Sequence, residues 1–142
     1  MPTSKANATW NGNLKNGKGV LSFDSGSYKG KYTFASRFKN GEGTNPEELI
    51  GAAHAGCYAM ALSNELAKAG HDPHSVGTRA EVRFGVTDDG PAITGIKLIA
   101  EANVPGIDDD TFQQFAKGAK EGCPVSKALA GINITLDAQL KS

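Results

Sequence analysis

The sequence predicts an α+β fold, and three observations carry that expectation. Arg79 to Thr87, Ile96 to Val104 and Ile132 to Lys141 alternate apolar and polar residues, the period of a half-buried strand. Pro46 to Ala69 opens with helix-start chemistry and stops at Gly70, a natural helix terminator. No linker or internal repeat interrupts the 142 residues, so the chain reads as one domain over 1–142.

Up to Ala35 the chain reads as strands, with Asn16-Gly17 as a two-residue hairpin turn. That turn places Lys15 opposite Lys18 and Trp10 opposite Phe23. In the long helix Asn45 is suited to cap, Pro46 to the first helical position, and Glu47 and Glu48 to the first turn. Beyond it, Ala80, Val82, Phe84 and Val86 fall on one face of a strand, and Arg79, Glu81 and Arg83 on the other. Asp88-Asp89-Gly90 turns the chain into the second alternating strand. A helix is predicted from Asp109 to Lys120, with Phe112, Phe115, Ala116 and Ala119 on one face. A short helix follows Pro124, and a final strand closes the chain. Strands with one apolar and one wet face suit an antiparallel sheet covered on one side.

The long helix is nearly bare around its centre: Gly51, Ala52, Ala53, Ala55, Gly56 and Ala59. A glycine inside a helix costs about 0.5–1 kcal/mol relative to alanine. Two of them imply close approach of another backbone, a helix or the sheet. A helix this apolar wants cover on nearly all sides, and a chain of this size has few elements to supply it. A homodimer with packed central helices is the expectation.

Composition narrows the function. Fifteen basic residues balance 15 acidic ones, so no electrostatic case exists for nucleic acid or an anionic membrane as partner. No run is long enough to span a bilayer, and Met1-Pro2-Thr3-Ser4-Lys5 is not followed by an apolar stretch, so a cytoplasmic setting is expected. Two cysteines and three histidines lack zinc-ligand spacing, and no nucleotide or metalloprotease motif is present. No cofactor or metal is expected.

The chemistry then falls to the two cysteines. Cys57 lies mid-helix, where the helix dipole gives little help, so a thiolate there needs a cation from elsewhere in the fold. The plain alternative is a small buried apolar residue. Cys123 precedes Pro124 and stands where a helix begins, a setting that favours a thiolate, so local context ranks it the more acidic thiol. Its plain alternative is a turn cysteine of no consequence. His54 shares a helix face with Cys57. That pair points either to a Cys–His hydrolase or acyltransferase or to a histidine making a structural hydrogen bond.

A resemblance decides among these. Arg37-Phe38, the run Gly43-Thr44-Asn45-Pro46-Glu47-Glu48-Leu49-Ile50-Gly51-Ala52-Ala53-His54-Ala55-Gly56-Cys57, and Gly122-Cys123-Pro124-Val125-Ser126 closely resemble the osmotically inducible protein C and organic hydroperoxide resistance family. Val104-Pro105-Gly106-Ile107-Asp108 and Ile134-Thr135-Leu136-Asp137 extend the likeness over most of the chain after Thr33. His54 is closer to the osmotically inducible branch.

The resemblance implies a thiol peroxidase of oxidative or osmotic stress defence, built as an intertwined homodimer with sheets wrapped around two long central helices. It implies Cys57 as the attacking thiol, Cys123 as the resolving thiol, and Arg37 and Glu47 as helpers of Cys57. The implied substrates are organic hydroperoxides and, less well, hydrogen peroxide; the implied reductant is a small or protein-bound dithiol. Arg37 then supplies the cation that Cys57 lacks, with Glu47 holding it in a bidentate pair, and an apolar pocket near Met60, Phe38 and Tyr58 favours organic peroxides. Ten residues of helix separate Glu47 from Cys57, about 15 Å at ~1.5 Å per residue. Glu47 is therefore expected to serve the partner subunit's site, or to act only through the long Arg37 side chain. The competing readings are the Cys–His hydrolase or acyltransferase and a non-enzymatic dimer that binds a small ligand.

Overall fold

In the computed structural model, which describes residues 2–141, the chain groups into two units that divide between Leu49 and Ile50. Met1 and Ser142, the ends of the expected domain, lie outside the described residues.

In the first unit, β1 (Ala6–Asn11), β2 (Lys18–Phe23) and β3 (Lys29–Tyr32) form an antiparallel sheet in that order. The hairpin exists, but its register differs from the two-residue turn. Asn11 pairs with Lys18, Trp10 with Gly19, and Ala6 with Phe23. The cause is Asn13. Its side chain accepts from the Asn16 N–H at 2.8 Å, and its carbonyl accepts from the Gly17 N–H at 2.8 Å and from the Trp10 indole at 3.1 Å. These bonds build a wider loop than Asn16-Gly17 alone would. Gly19 completes the arrangement: a Cβ there would lie 2.5 Å from the Tyr32 ring and 2.7 Å from Trp10. Its absence lets the two rings close to 5.3 Å between centroids.

The strands end at Tyr32, before the expected Ala35, because Thr33 caps a short helix, α1 (Phe34–Phe38). Thr33 Oγ1 accepts from the Ser36 N–H at 3.1 Å, and Ser36 Oγ accepts from the Thr33 N–H at 2.8 Å, a reciprocal capping box. Ser36 also donates to the Thr44 carbonyl at 2.8 Å, and its own carbonyl accepts from Asn45 Nδ2 at 2.9 Å. Asn45 meanwhile accepts from the Glu48 N–H at 2.8 Å, the expected cap of α2 (Pro46–Lys68).

The second unit holds the rest of α2, the long hairpin of β4 (Ser75–Thr87) and β5 (Gly90–Asn103), then α3 (Asp109–Gly122), α4 (Pro124–Ala128) and β6 (Asn133–Lys141). The helices match the sequence reading within two residues at each end. Gly70, at φ +90°, ends α2 as expected. The sheet runs β4-β5-β6 and is not purely antiparallel: β6 lies parallel to β5, from Gly95 opposite Asn133 to Asn103 opposite Lys141. A parallel neighbour needs a crossover, and α3 with α4 supply it.

β5 is the central strand and places Ile96, Leu98, Ala100 and Ala102 into the core, with Tyr58, Leu62 and Leu66 from α2 and Phe112, Ala116 and Ala119 from α3. β4 departs from simple alternation. Its register shifts between Arg83 and Phe84, and Val86, expected on the covered face, is 83% exposed. The unpaired extra residue is Thr94 on β5, and the added twist of that bulge turns the β4 residues paired beyond it.

The two glycines of α2 have different surroundings. A Cβ on Gly51 would lie 3.3 Å from Val82 Cγ2, so this glycine lets the helix close on β4. A Cβ on Gly56 would meet nothing within 4 Å in its own chain. Ala52, Ala53 and Met60 share that exposure.

Candidate active site

The second unit brings the two cysteines together. Cys57 comes from the middle of α2 and Cys123 from the joint between α3 and α4, where its N–H closes α3 onto the Ala119 carbonyl at 2.9 Å. The sulfurs are 3.0 Å apart, within reach of an S–H···S hydrogen bond, and both are free thiols. Cys123 is fully buried, whereas Cys57 is partly exposed.

The thiols differ in acidity. Burial pushes the Cys57 thiol up, and its hydrogen bond with Cys123 adds to this against an opposing pull from the Val125 backbone. Burial also pushes Cys123 up, but hydrogen bonding from Cys57, the Ser126 backbone and hydroxyl, and the Val125 backbone together hold it below the ordinary thiol value. The neutral Cys123 side chain closes no capping bond; these groups favour its charged form. The directions of the two shifts run the same way as the local ranking read from the sequence.

His54 does not pair with Cys57. Its Nε2 lies 2.7 Å from Ser126 Oγ, its Nδ1 has no hydrogen-bond partner among the described residues, and the ring is fully buried. Burial holds its pKa below the usual histidine value. Ser126 is the residue sequence reasoning missed. It is 72 positions from His54, and nothing in either local context announces the contact.

A groove of about 750 Å³ opens beside Cys57, walled by Met60, Ala61, Phe115 and Ala119. Met60 lines it as expected. Tyr58 does not: it is core, fully buried, with its hydroxyl donating to the Ala116 carbonyl at 2.9 Å. Phe38 belongs to the first unit, where it stacks on Phe34 at 4.6 Å.

Arg37 and Glu47 also lie in the first unit, on α1 and the first turn of α2. Arg37 Nε donates to Glu47 Oε1 at 2.8 Å. The expected bidentate pair is a single bond, since the buried Oε2 of Glu47 has no hydrogen-bond partner among the described residues. Glu47 is buried, and the Arg37 side chain keeps 35% of its surface in solvent.

Among the described residues no helix is long and apolar enough to cross a membrane.

Known proteins share this architecture. The family profile described as OsmC-like protein matches residues 39–137. Peroxiredoxin OsmC of Escherichia coli (strain K12) is 52% identical over 139 residues, 97% of this chain and 96% of its own. The organic hydroperoxide resistance protein OhrB of Bacillus subtilis (strain 168) is 31% identical over 136 residues, 92% of this chain and 89% of its own. A crystal structure of Bacillus subtilis OhrB matches with a TM-score of 0.69 at 25% identity, covering 96% of this chain and 98% of that one.

Proposed function

The chain belongs to the OsmC-like protein family, and from that premise we propose that it is a thiol-dependent peroxidase that reduces organic hydroperoxides and, less well, hydrogen peroxide. The observation that carries this is the 3.0 Å approach of Cys57 to Cys123, from two elements far apart in sequence. Cys57 attacks the peroxide, releases an alcohol or water and becomes a sulfenic acid. Cys123 condenses with it to a disulfide and water. A small or protein-bound dithiol restores both thiols by exchange. The groove walled by Met60 and Phe115 takes the apolar part of an organic peroxide. A dithiol resting state suits a reducing cytoplasm, the compartment we assign.

Burial raises Cys57, so its attack needs a cation. Arg37, fixed by Glu47, is proposed to supply it. The helix rise between Glu47 and Cys57 argues for composite sites in which the partner subunit's Arg37 and the partner subunit's Glu47 serve each Cys57. The homodimer this needs is supported by the uncovered stripe of Ala52, Ala53, Gly56 and Met60 on α2. Relatives align across both units as chains of similar length, which supports one domain over 1–142. The hydrolase reading loses its base, because His54 bonds Ser126.

Thiol titration tests the cycle. Cumene hydroperoxide is expected to consume two thiols per chain, and hydrogen peroxide to do so more slowly. Cys57→Ser should stop peroxide consumption, and Cys123→Ser should allow one turnover and stall as a sulfenic acid. Two thiols still titratable after excess cumene hydroperoxide would favour the non-enzymatic binding dimer instead.

A further inference from the structure

The cycle leaves the buried His54–Ser126 contact without a task. His54 Nε2 and Ser126 Oγ are 2.7 Å apart, and Nδ1 is buried with no partner among the described residues. In either tautomer one face of the ring goes unsatisfied. A buried N–H without an acceptor is rarer than a bare lone pair, which places the hydrogen on Nε2 and leaves Nδ1 as the empty acceptor. Nε2–H then donates to the Ser126 oxygen, and the Ser126 hydrogen is left to donate elsewhere.

Its neighbour across the first turn of α4 is Cys123. The two are three residues apart, on one side of the turn, and both are buried, at 0% and 6% exposure. The Ser126 hydroxyl is among the groups that favour a charged sulfur at Cys123; with both thiols neutral no hydrogen bond joins the two side chains, so the donation belongs to the ionised state. Other ionisable side chains that interact with that sulfur are Cys57 and Tyr58.

We propose that His54 and Ser126 are positioning residues for the resolving thiol: Nε2–H of His54 donates to the Ser126 hydroxyl, whose own hydrogen donates to the Cys123 sulfur and holds it as a thiolate beside Cys57. The inference rests on the two-thiol cycle proposed above. In the step it serves, the Cys123 thiolate attacks the sulfur of the Cys57 sulfenic acid. The S–S bond forms and the S–O bond breaks. The departing hydroxide combines with the proton that Cys123 gave up when it ionised, and water leaves. No outside oxidant enters, because the peroxide has already oxidised Cys57. A hydroxyl polarised by a buried imidazole is a better donor than one facing solvent, since bonds in such chains strengthen one another.

Two measurements test this. In a Cys57→Ser background, ultraviolet absorbance against pH reports Cys123 ionisation alone. Adding Ser126→Ala is expected to cut the thiolate fraction at neutral pH about tenfold, the effect of one hydrogen bond to a charged group. Ser126→Thr should restore it. With both cysteines present, Ser126→Ala should close the disulfide about tenfold more slowly and accumulate dimedone-trappable sulfenic acid. His54→Leu should act in the same direction and gives a second reading if Ser126→Ala does not fold. Unchanged Cys123 ionisation and closure in both variants would overturn the inference. If wild-type protein loses no thiols to cumene hydroperoxide, the cycle itself fails, while the Cys123 titration still judges the donor chain.

Discussion

Gly56→Ala separates a lone chain from a dimer. Within its own chain an added Cβ at Gly56 meets nothing within 4 Å. Alanine in a helix interior is favoured over glycine by about 0.5–1 kcal/mol, so a lone chain should gain roughly that much. If the partner subunit's α2 packs on this stripe, the methyl enters a close-packed contact. Overpacking of that kind costs about 1–3 kcal/mol at each site. A two-fold interface presents the position twice, so association should weaken by at least ~1.4 kcal/mol, tenfold or more in the dissociation constant. Gly51→Ala is the internal control. Its Cβ would lie 3.3 Å from Val82 Cγ2, so a small strain offsets the helix gain and no effect on association is expected. Light scattering over a dilution series, paired with thermal melts at each concentration, reads both quantities. The reasoning is refuted if Gly56→Ala raises the melting temperature and leaves the oligomeric state unchanged at every dilution.

Two further outcomes are expected. Arg37→Lys keeps a positive charge but loses the Nε that donates to Glu47 at 2.8 Å; kcat/KM for cumene hydroperoxide should fall about ten- to a hundredfold, the loss of one charge-assisted hydrogen bond, and a normal rate would remove Arg37 from the site. His54 is held neutral by burial, its folded pKa below the ~6.5 of the unfolded chain. The unfolded state therefore takes up a proton first on acidification, and stability present above about pH 6.5 is lost as the pH falls toward and through the folded value. Thermal melts from pH 8 to pH 5 should show that loss, and His54→Gln, which does not titrate, should flatten it.

What the sequence made legible was whatever repeats along one element. α2 and α3 announce themselves by caps and apolar spacing, and β4, β5 and β6 by alternation. What it hid depends on contacts between elements or on single side chains. The first hairpin slipped because Asn13 gathers three hydrogen bonds that no dipeptide rule anticipates. The helix α1 was invisible because serine, where a glutamate is the usual signal, closes its capping box. Alternation carries no direction, so β6 reads from sequence as antiparallel; only the α3–α4 crossover assigns it as parallel. Both thiols and the Arg37–Glu47 pair were readable as residues. The His54–Ser126 bond and the core position of Tyr58 were not, since each depends on a partner remote in the chain.

The two thiols pose a problem that acidity alone does not resolve. The proposed cycle gives the attack on peroxide to Cys57, yet burial pushes the Cys57 thiol up while hydrogen bonding holds Cys123 below the ordinary thiol value. The division follows once access is considered before acidity. Cys123 is fully buried, so a peroxide cannot reach its sulfur however well it ionises. Cys57 lines the groove, so it is the sulfur a peroxide meets. At 3.0 Å the two sulfurs share protons and titrate as a pair, so charge favoured at Cys123 is one S–H···S transfer from Cys57. A guanidinium brought to the groove would draw that charge toward Cys57 at the moment a peroxide binds. In the proposed cycle the same preference then works in the other direction: once oxidised, Cys57 no longer holds a thiol, Cys123 returns to its thiolate, and the nearest electrophile is the new sulfenic acid. In the proposed cycle the more acidic thiol therefore resolves because it is buried, and the less acidic one attacks because it lines the groove.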